Sequence, residues 1–179
     1  MINGFQLLPG SIIFVSGFIH HKNFAKMEES ISLIIEQTSK TPLIDFNQLS
    51  GELILSGRSI PENAAKLYEP VFNWVKEYIS KARRVTNIRL NLEYFNTASS
   101  IWISKILKVL TKINNPDYIL NVHLYLPLEE YDEMNELDDI KDAFSPIADI
   151  FVDAIPSIGI KLYGTNDKSE IIKDAMVFI

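Results

Sequence analysis

The chain has 179 residues, enough for one globular domain with a proper hydrophobic core. Apolar residues make up 47% of it and charged residues 22%, a balance typical of a soluble folded protein rather than a disordered one. The net charge of −6 disfavours nucleic acid as a partner, and the lack of cysteine excludes disulfides, thiolate catalysis and thiolate metal ligands.

The first segment, Gly4–Ile19, is apolar but has neither the pattern of a membrane span nor that of a signal peptide. It is interrupted by proline and glycine, and it falls short of the roughly 20 residues that a spanning helix needs. It also lacks a positive n-region and a small-residue cleavage site. Two interpretations remain: an extra strand or hairpin packed on the domain, or upstream sequence translated ahead of a start at Met27. We therefore divide the chain into an N-terminal appendage, residues 1–26, and a single domain, residues 27–179, and expect a cytoplasmic protein without a membrane partner.

Three short strands open the domain. The alternation of apolar and polar residues predicts the first strand at Ile31–Ile35. Pro42–Phe46 and Glu52–Leu55 are the next two, and the turn between them contains Gly51, which favours a β-hairpin.

A helix with its own start signal follows the hairpin. Gly57 breaks the strand pattern, and Ser59 and Glu62 have the spacing of a capping box, in which each side chain bonds the other residue's backbone amide. The helix is predicted from Asn63 to about Lys81, because apolar residues recur there at intervals of three and four. Pro70 predicts a kink, or a short first turn before the main helix.

The middle of the chain alternates between strand and helix patterns. Asn87–Tyr94 predicts a strand with one buried and one polar face. A second long helix is predicted over Ala98–Ile113, and the following Asn-Asn-Pro sequence stops it. Tyr118–Leu126 is the next strand.

The C-terminal part begins with an acidic run, Glu129–Asp139, which opens a helix extending to about Phe144. Ile160–Tyr163 is predicted as a last short strand and Ser169–Met176 as a terminal helix. The order β-β-β-α-β-α-β-α-β predicts an α/β fold, a mixed sheet with helices packed on one side.

The sequence contains no pattern typical of a catalytic or metal site. His123 stands alone on a predicted strand, and there is no phosphate-cradling glycine loop, nucleophile elbow or dinucleotide fingerprint. The acidic run lacks the glycine and the alternating ligands of an EF-hand, so a solvated helix face or an acidic docking surface explains it better than calcium. We predict a non-enzymatic protein without a cofactor or metal.

Thr97 lies at the point where strand spacing changes to helical spacing, and two roles are open for it. As a helix N-cap, its hydroxyl would accept from the amide of Ser99 or Ser100, a bond worth roughly 1 kcal/mol. The same place suits a phosphoryl group, because the free amides and the positive end of the helix dipole would solvate its charge. Residue chemistry alone leaves both roles possible.

A family resemblance favours the second role. The segments Gly57–Ile79, Leu90–Ser100 and Tyr131–Ile140 resemble the SiaC family of bacterial regulatory phosphoproteins, and the similarity extends over Ile31–Tyr163. The resemblance implies a fold similar to the STAS domains of anti-sigma-factor antagonists and phosphorylation of the threonine in the motif N-T-x-S-S, here Thr97. It also implies a partner kinase, a metal-dependent PPM-type phosphatase that removes the phosphate, and binding of the unphosphorylated protein to a diguanylate cyclase, which raises cyclic di-GMP synthesis.

Other residues of the matched motifs are candidates for the switch or for a partner surface. Ser99 and Ser100 are the alternative modification sites. Arg58 and Asn63 are not needed for capping in this interpretation, so we assign them to a partner-contact surface on the same side of the molecule as Thr97.

The residues just before Thr97 form the turn into the helix. Asn96 is expected to hold this turn in a left-handed conformation or to bridge to the strand end. Tyr94 and Phe95 point to opposite faces of the strand, so we expect one in the core and the other on the switch surface. Asn96 and Phe95 complete the predicted partner-binding set.

Three functions are compatible with these observations. The leading hypothesis is a protein-binding switch controlled by threonine phosphorylation, with a diguanylate cyclase as its output. The first alternative is an anti-sigma-factor-antagonist-like component of a partner-switching cascade. The second is a small-ligand-binding domain that uses the polar strand face of Asn87–Glu93.

Overall fold

A seven-stranded mixed sheet forms the centre of the chain in a computed structural model that describes residues 31–133 and 149–178. The strands are β1 (Ser32–Ile35), β2 (Leu43–Asn47), β3 (Glu52–Ser59), β4 (Val85–Phe95), β5 (Ile119–Pro127), β6 (Ser157–Thr165) and β7 (Ile171–Phe178). The helices are α1 (Ala64–Tyr78), which ends in a 3₁₀ turn at Ile79–Lys81, α2 (Thr97–Leu110) and α3 (Leu128–Glu133).

The strands lie side by side in the order in which they occur along the chain. β1, β2 and β3 are antiparallel, β3 to β6 are parallel, and β7 returns antiparallel to β6. Parallel neighbours need a crossover connection, which α1 supplies between β3 and β4 and α2 between β4 and β5. The predicted mixed α/β fold is therefore confirmed, while the more specific likeness to STAS domains stays a prediction.

The hydrophobic core lies between α1, α2 and one face of the sheet. The strands contribute alternate residues that are buried against the helices: Ile44, Phe46, Leu53, Leu55, Ile88, Leu90, Leu120, Val122, Ile160 and Leu162. Tyr68, Val71 and Val75 of α1 and Ile106 and Leu110 of α2 complete the core. Helix α1 continues past Pro70.

The end of the chain differs from the sequence prediction. Ser169–Met176 was expected to be a helix, but most of it belongs to β7, which pairs with β6 from Thr165 to Gly159. The β-branched residues Ile171 and Ile172 suit a strand, and the free edge of β6 supplies hydrogen-bond partners that a local pattern does not reveal.

The connection between β3 and α1 also differs from the prediction, although α1 itself starts within one residue of the predicted Asn63. β3 does not end at Leu55 but continues to Ser59, with an irregularity between Gly57, at φ +96°, and Arg58. Asn63 is the N-cap of α1, and its side-chain oxygen accepts from the Lys66 amide at 3.0 Å.

The predicted capping box is wrong because its two residues have other partners. Ser59 is a buried strand residue, and exposed Glu62 pairs with Lys40 at 2.6 Å, which holds the pKa of this carboxyl below its usual range. The start of the acidic helix is confirmed at α3, whereas its continuation beyond Glu133 and the appendage of residues 1–26 lie outside the described residues.

Candidate phosphorylation and partner-binding site

Two helices begin side by side at one end of the sheet. β3 leads to α1 and β4 leads to α2, and the carboxyl ends of these parallel neighbours lie at the same edge. The two strands stay paired to their last residues, and the Asn96 amide donates to the Ser59 carbonyl at 3.0 Å. The structure thus brings Arg58, Asn63 and Thr97 to the same end of the sheet, as expected.

The N-cap of α2 is Asn96 and not Thr97. Asn96 has an extended backbone, with φ −87° and ψ 169°, and its side-chain oxygen accepts from the Ser99 amide at 2.9 Å. Of the two roles expected for Asn96, the left-handed conformation is therefore wrong, whereas the bridge to a strand end is present, because its amide bonds Ser59 at the end of β3. The Asn96 side chain reaches the amide three residues ahead, as the side chain of an N-cap residue does. The cap therefore lies one residue earlier than the predicted Thr97.

Thr97 is the first residue of α2 and is exposed. Among the residues that the structure describes, none holds its hydroxyl by a hydrogen bond, so this oxygen is free of the capping role. The first turn of α2 carries no acidic side chain that would repel an anion. A phosphoryl group on this hydroxyl would lie at the positive end of a 14-residue helix.

A buried cluster of hydroxyls holds the start of α2 against β3 and α1. Ser59 Oγ lies 2.6 Å from the Tyr68 hydroxyl and donates to Ser99 Oγ at 2.8 Å, and Ser99 Oγ donates to the Ser59 carbonyl at 3.0 Å. Burial raises the pKa of Tyr68, although its hydroxyl partners partly oppose this. The hydrogen bonds among Tyr68, Ser59 and Ser99 use all three hydroxyl groups, and they fix the turn preceding Thr97.

The same cluster removes one of the alternative modification sites. Ser99 is fully buried with its hydroxyl engaged, so a kinase could not reach it in this structure. Ser100 is half-buried, and its hydroxyl donates to the Thr97 carbonyl at 2.8 Å. Arg58 is exposed, whereas the Asn63 side chain serves as a cap, contrary to the expectation that capping does not need it.

Tyr94 and Phe95 are both on the surface, 58% and 48% exposed, although the sequence predicted one of them in the core. The reason is that β4 and β5 separate. Their pairing ends at Leu90 and Leu124, while β4 stays with β3 to its last residue and β5 stays with β6. The end of β4 therefore has a neighbour on only one side.

The separation of β4 and β5 leaves a groove of about 570 Å³ beside α2. Leu92 and Leu126 come from the separated strands, and Ile103 and Leu107 come from α2. The sequence patterns did not predict this groove. The sequence feature that indicates the groove is the pair Ser100 and Ser104, two small residues within an otherwise apolar stripe of the helix.

A network of polar side chains covers the other face of the sheet. Arg89 Nε donates to Glu52 Oε2 at 2.7 Å, and its Nη1 lies 3.2 Å from His123 Nδ1. His123 Nδ1 is also 2.9 Å from the Tyr163 hydroxyl, and His123 Nε2 is 3.0 Å from Asn87 Oδ1. Because guanidinium can only donate, Nδ1 is the acceptor and Nε2 carries the proton of a neutral imidazole.

Burial and charge explain the ionisation of this network. Burial, followed by the positive charges of Arg89 and Lys161, lowers the pKa of His123 to about 4. Burial opposes the charge of Arg89, but hydrogen bonds to Glu52 and Tyr125 outweigh it and raise the arginine's pKa. Most polar groups of the network bond to each other, whereas the buried Oδ1 of Asn121, whose Nδ2 donates to Asn87 Oδ1 at 3.0 Å, has no partner among the described residues. A network whose groups are mostly engaged gives little support to the small-ligand alternative.

In the part of the chain that the structure describes, no group of three or more histidine or carboxylate side chains is arranged to hold a metal ion. Over the same residues, no helix has both the length and the apolar character that a membrane crossing requires.

Comparison with known proteins agrees with this architecture. A family model described as SiaC family regulatory phosphoprotein matches residues 35–151. An uncharacterized protein of Pseudomonas aeruginosa strain UCBPP-PA14 is 30% identical over 104 residues, which cover 58% of this chain and 79% of the relative.

Two solved structures from Pseudomonas aeruginosa share the fold. The crystal structure of apo-SiaC is similar with a TM-score of 0.52 and 27% identity, covering 62% of this chain and 91% of that one. A chain in the crystal structure of the diguanylate cyclase SiaD in complex with its activator SiaC is similar with a TM-score of 0.52 and 24% identity. The match covers 62% of this chain and 90% of that one. The family match includes more than half of the sequence, with β2 to β5 and the turn at Thr97, and the chain belongs to the SiaC family of regulatory phosphoproteins.

Proposed function

We propose that this protein is a non-enzymatic signalling protein whose binding to a partner is switched by reversible phosphorylation of Thr97. One observation carries the proposal. Thr97 is exposed at the first position of α2, and Asn96 rather than Thr97 caps the helix. A phosphate can therefore be added without removing a hydrogen bond that holds the fold.

The energetics favour a change in binding over a change in stability. Negative charge at an exposed helix N-terminus is tolerated or favourable by about 0.3–1 kcal/mol. At a protein interface the same charge must be desolvated, which costs several kcal/mol when it is left without a partner. Phosphorylation thus alters partner choice and leaves the free energy of unfolding nearly unchanged.

The partner that we propose is a diguanylate cyclase, so that the output is cyclic di-GMP synthesis. The support comes from the related SiaC of Pseudomonas aeruginosa, which occurs in complex with the diguanylate cyclase SiaD as its activator. A protein kinase adds the phosphate to Thr97 in the cytoplasm, and a PPM-type phosphatase removes it. Arg58, Asn63, Asn96 and Phe95 surround the switch and contribute to the partner surface.

Variants of Thr97 test the proposal. Thr97→Asp is expected to melt close to wild type and to bind the diguanylate cyclase about tenfold more weakly or worse. Thr97→Ala is expected to keep binding and to resist modification. The measurements are thermal unfolding, calorimetric binding, and intact-mass analysis after incubation with the cognate kinase and ATP.

Ser100→Ala is the matched control, because it removes a neighbouring hydroxyl and leaves Thr97 in place. It should take up one phosphate, as wild type does. Full phosphate incorporation in Thr97→Ala would show that another residue is the site. Purification of the proteins that bind wild type and Thr97→Asp shows whether the bound partner is a diguanylate cyclase or an anti-sigma factor.

A further inference from the structure

We propose that the groove between α2 and the separated ends of β4 and β5 is the partner-docking surface, and that its occupant is an apolar peptide segment carrying lysine or arginine. The inference rests on the proposed partner-binding function and adds the place of binding and the chemistry of the partner. It depends on the shape of the groove, its apolar walls and the sign of its charges.

The groove is built into the fold. β4 and β5 lose their pairing after Leu90 and Leu124, although each strand remains held on its outer side by β3 or β6. The gap is thus fixed by two firmly paired strands. On α2, Ser100 and Ser104 occupy positions where a larger side chain would fill the space.

The walls of the groove are suited to apolar side chains. Leu92, Leu126 and Pro127 line the strand side, and Ile103 and Leu107 line the helix side. At the rim, the half-exposed ring of Phe95 leaves apolar surface in water. Apolar concave surface of this kind favours a partner that buries large apolar side chains in it.

The charges at the groove favour a partner segment with positive charge. Of the described residues that line the groove, the charged ones are Glu93 and Glu130, and both are exposed carboxylates. An acidic segment would be repelled here, whereas lysine or arginine beside the apolar anchors would be attracted. The net charge of −6 acts in the same direction over longer distances.

The position of the groove connects docking with the switch. Ser100 lines the groove and donates a hydrogen bond to the Thr97 carbonyl at 2.8 Å. Thr97 lies one helical turn before it, a rise of about 5 Å. A segment seated in the groove therefore lies next to Thr97. In this arrangement the basic residues of the segment pair with Glu93 and Glu130, and its apolar residues lie beside Thr97. A phosphate on Thr97 would then be desolvated without a cationic partner, which weakens binding as proposed above.

Selection of random peptides displayed on phage tests the inference without assuming any natural partner. Wild type is expected to enrich peptides with regularly spaced large apolar residues together with lysine or arginine. Ser104→Phe fills the groove from an exposed position of α2, so it should weaken the selected peptides about tenfold. Lys108→Phe adds the same ring on the same helix outside the groove lining and should bind them as wild type does.

A charge reversal gives a second, independent variant. Glu93→Lys with Glu130→Lys is expected to weaken the basic peptides about tenfold, and glutamate in place of the peptides' basic residues should restore the affinity. Selection of acidic peptides, of no peptide, or of peptides that bind Ser104→Phe equally well would overturn the inference. A self-association of the chain that Ser104→Phe abolishes would also overturn it, in favour of a second copy in the groove.

Binding of the diguanylate cyclase separates the failure of this inference from that of the proposed function. If the cyclase binds wild type and Ser104→Phe with equal affinity, the groove is not the docking surface, while the switch at Thr97 stands. If the cyclase does not bind wild type at all, the proposed output is wrong, and the peptide selection still decides whether the groove takes basic apolar segments.

Discussion

At the scale of single residues, the hydroxyl groups around the start of α2 have different roles because they differ in burial. Thr97 is exposed and free of capping, Ser100 bonds a carbonyl of its own helix, and Ser99 is buried against Ser59 and Tyr68. From the sequence, Thr97 was the expected modification site and Ser99 an alternative, because spacing alone does not reveal which hydroxyl is buried. Only the long-range contact between Ser59 and Ser99 separates them.

His123 gives the protein a pH dependence of stability. Its pKa is lowered from 6.5 to about 4 in the folded protein, so between these values the unfolded chain binds a proton that the folded chain does not. The free energy of unfolding should therefore fall as the pH falls, by about 2 kcal/mol between pH 7 and pH 5.

Urea unfolding of wild type and His123→Gln at both pH values measures this effect. The variant lacks the titrating imidazole and should lose most of the change, whatever its stability at pH 7. Arg89 and Lys161 are present in both proteins, so their charges do not produce the difference. Equal losses in the two proteins would contradict the assignment to His123.

At the scale of elements, two asparagines decide where the helices of the site begin. Asn96→Ala removes the N-cap of α2 and should lower the free energy of unfolding by about 1 kcal/mol. Asn96→Asp keeps an acceptor for the Ser99 amide and should stay near wild type. Denaturant unfolding provides the measurement.

Asn63→Ala is the corresponding control at α1, since it removes an equivalent cap at the same end of the sheet. It should show a similar loss of stability and should leave phosphorylation of Thr97 intact. If Asn96→Ala unfolds like wild type, the Asn96 side chain does not cap α2 in solution.

The helix starts show what a sequence pattern can and cannot determine. Apolar spacing predicts both helices, but the local hydroxyl motifs place their caps at Ser59 and Thr97 rather than at Asn63 and Asn96. The error at Ser59 arises because β3 gains pairing with β4 through its last residue, which keeps Ser59 in the sheet. Several residues near a helix start have side chains that can act as its cap. Pairing of strands from elsewhere in the chain decides which of them does so.

At the scale of the whole molecule, β7 completes the sheet beyond the part of the chain that the family match includes. Removal of residues 166–179 would leave β6, with its buried Ile158, Ile160 and Leu162, at the edge of the sheet. We expect the truncated chain to lose several kcal/mol of stability and to aggregate, because an unprotected apolar edge invites pairing with other chains.

Lys173→Ala is a control for this truncation, because it breaks the exposed ion pair of β7 with Asp132 and keeps the strand. It should change the free energy of unfolding by about 0.5 kcal/mol. Urea unfolding and light scattering of the two proteins give the comparison. Equal stability of the truncated and full chains would show that β7 is dispensable.

The overall fold was more predictable from the sequence than the last strand, β7, or the functional site. The alternation of strand and helix patterns from Ile31 to Leu126 is confirmed, because most of those elements bury one clear apolar face. β7 was missed because its register depends on β6, and the groove was missed because it arises where two strands part. The proposed phosphorylation site was suggested by the family resemblance, since residue chemistry alone left Thr97 open between a cap and a switch.

The strands lie in space in the same order as in the chain, which has a consequence for synthesis. No strand has to be inserted between two that are already paired, so each strand leaving the ribosome finds its neighbour at the growing edge. β3, α1, β4 and the start of α2, which together hold the turn at Thr97, are all made before β5. The turn can therefore assemble on a nascent chain before the opposite wall of the groove has been translated.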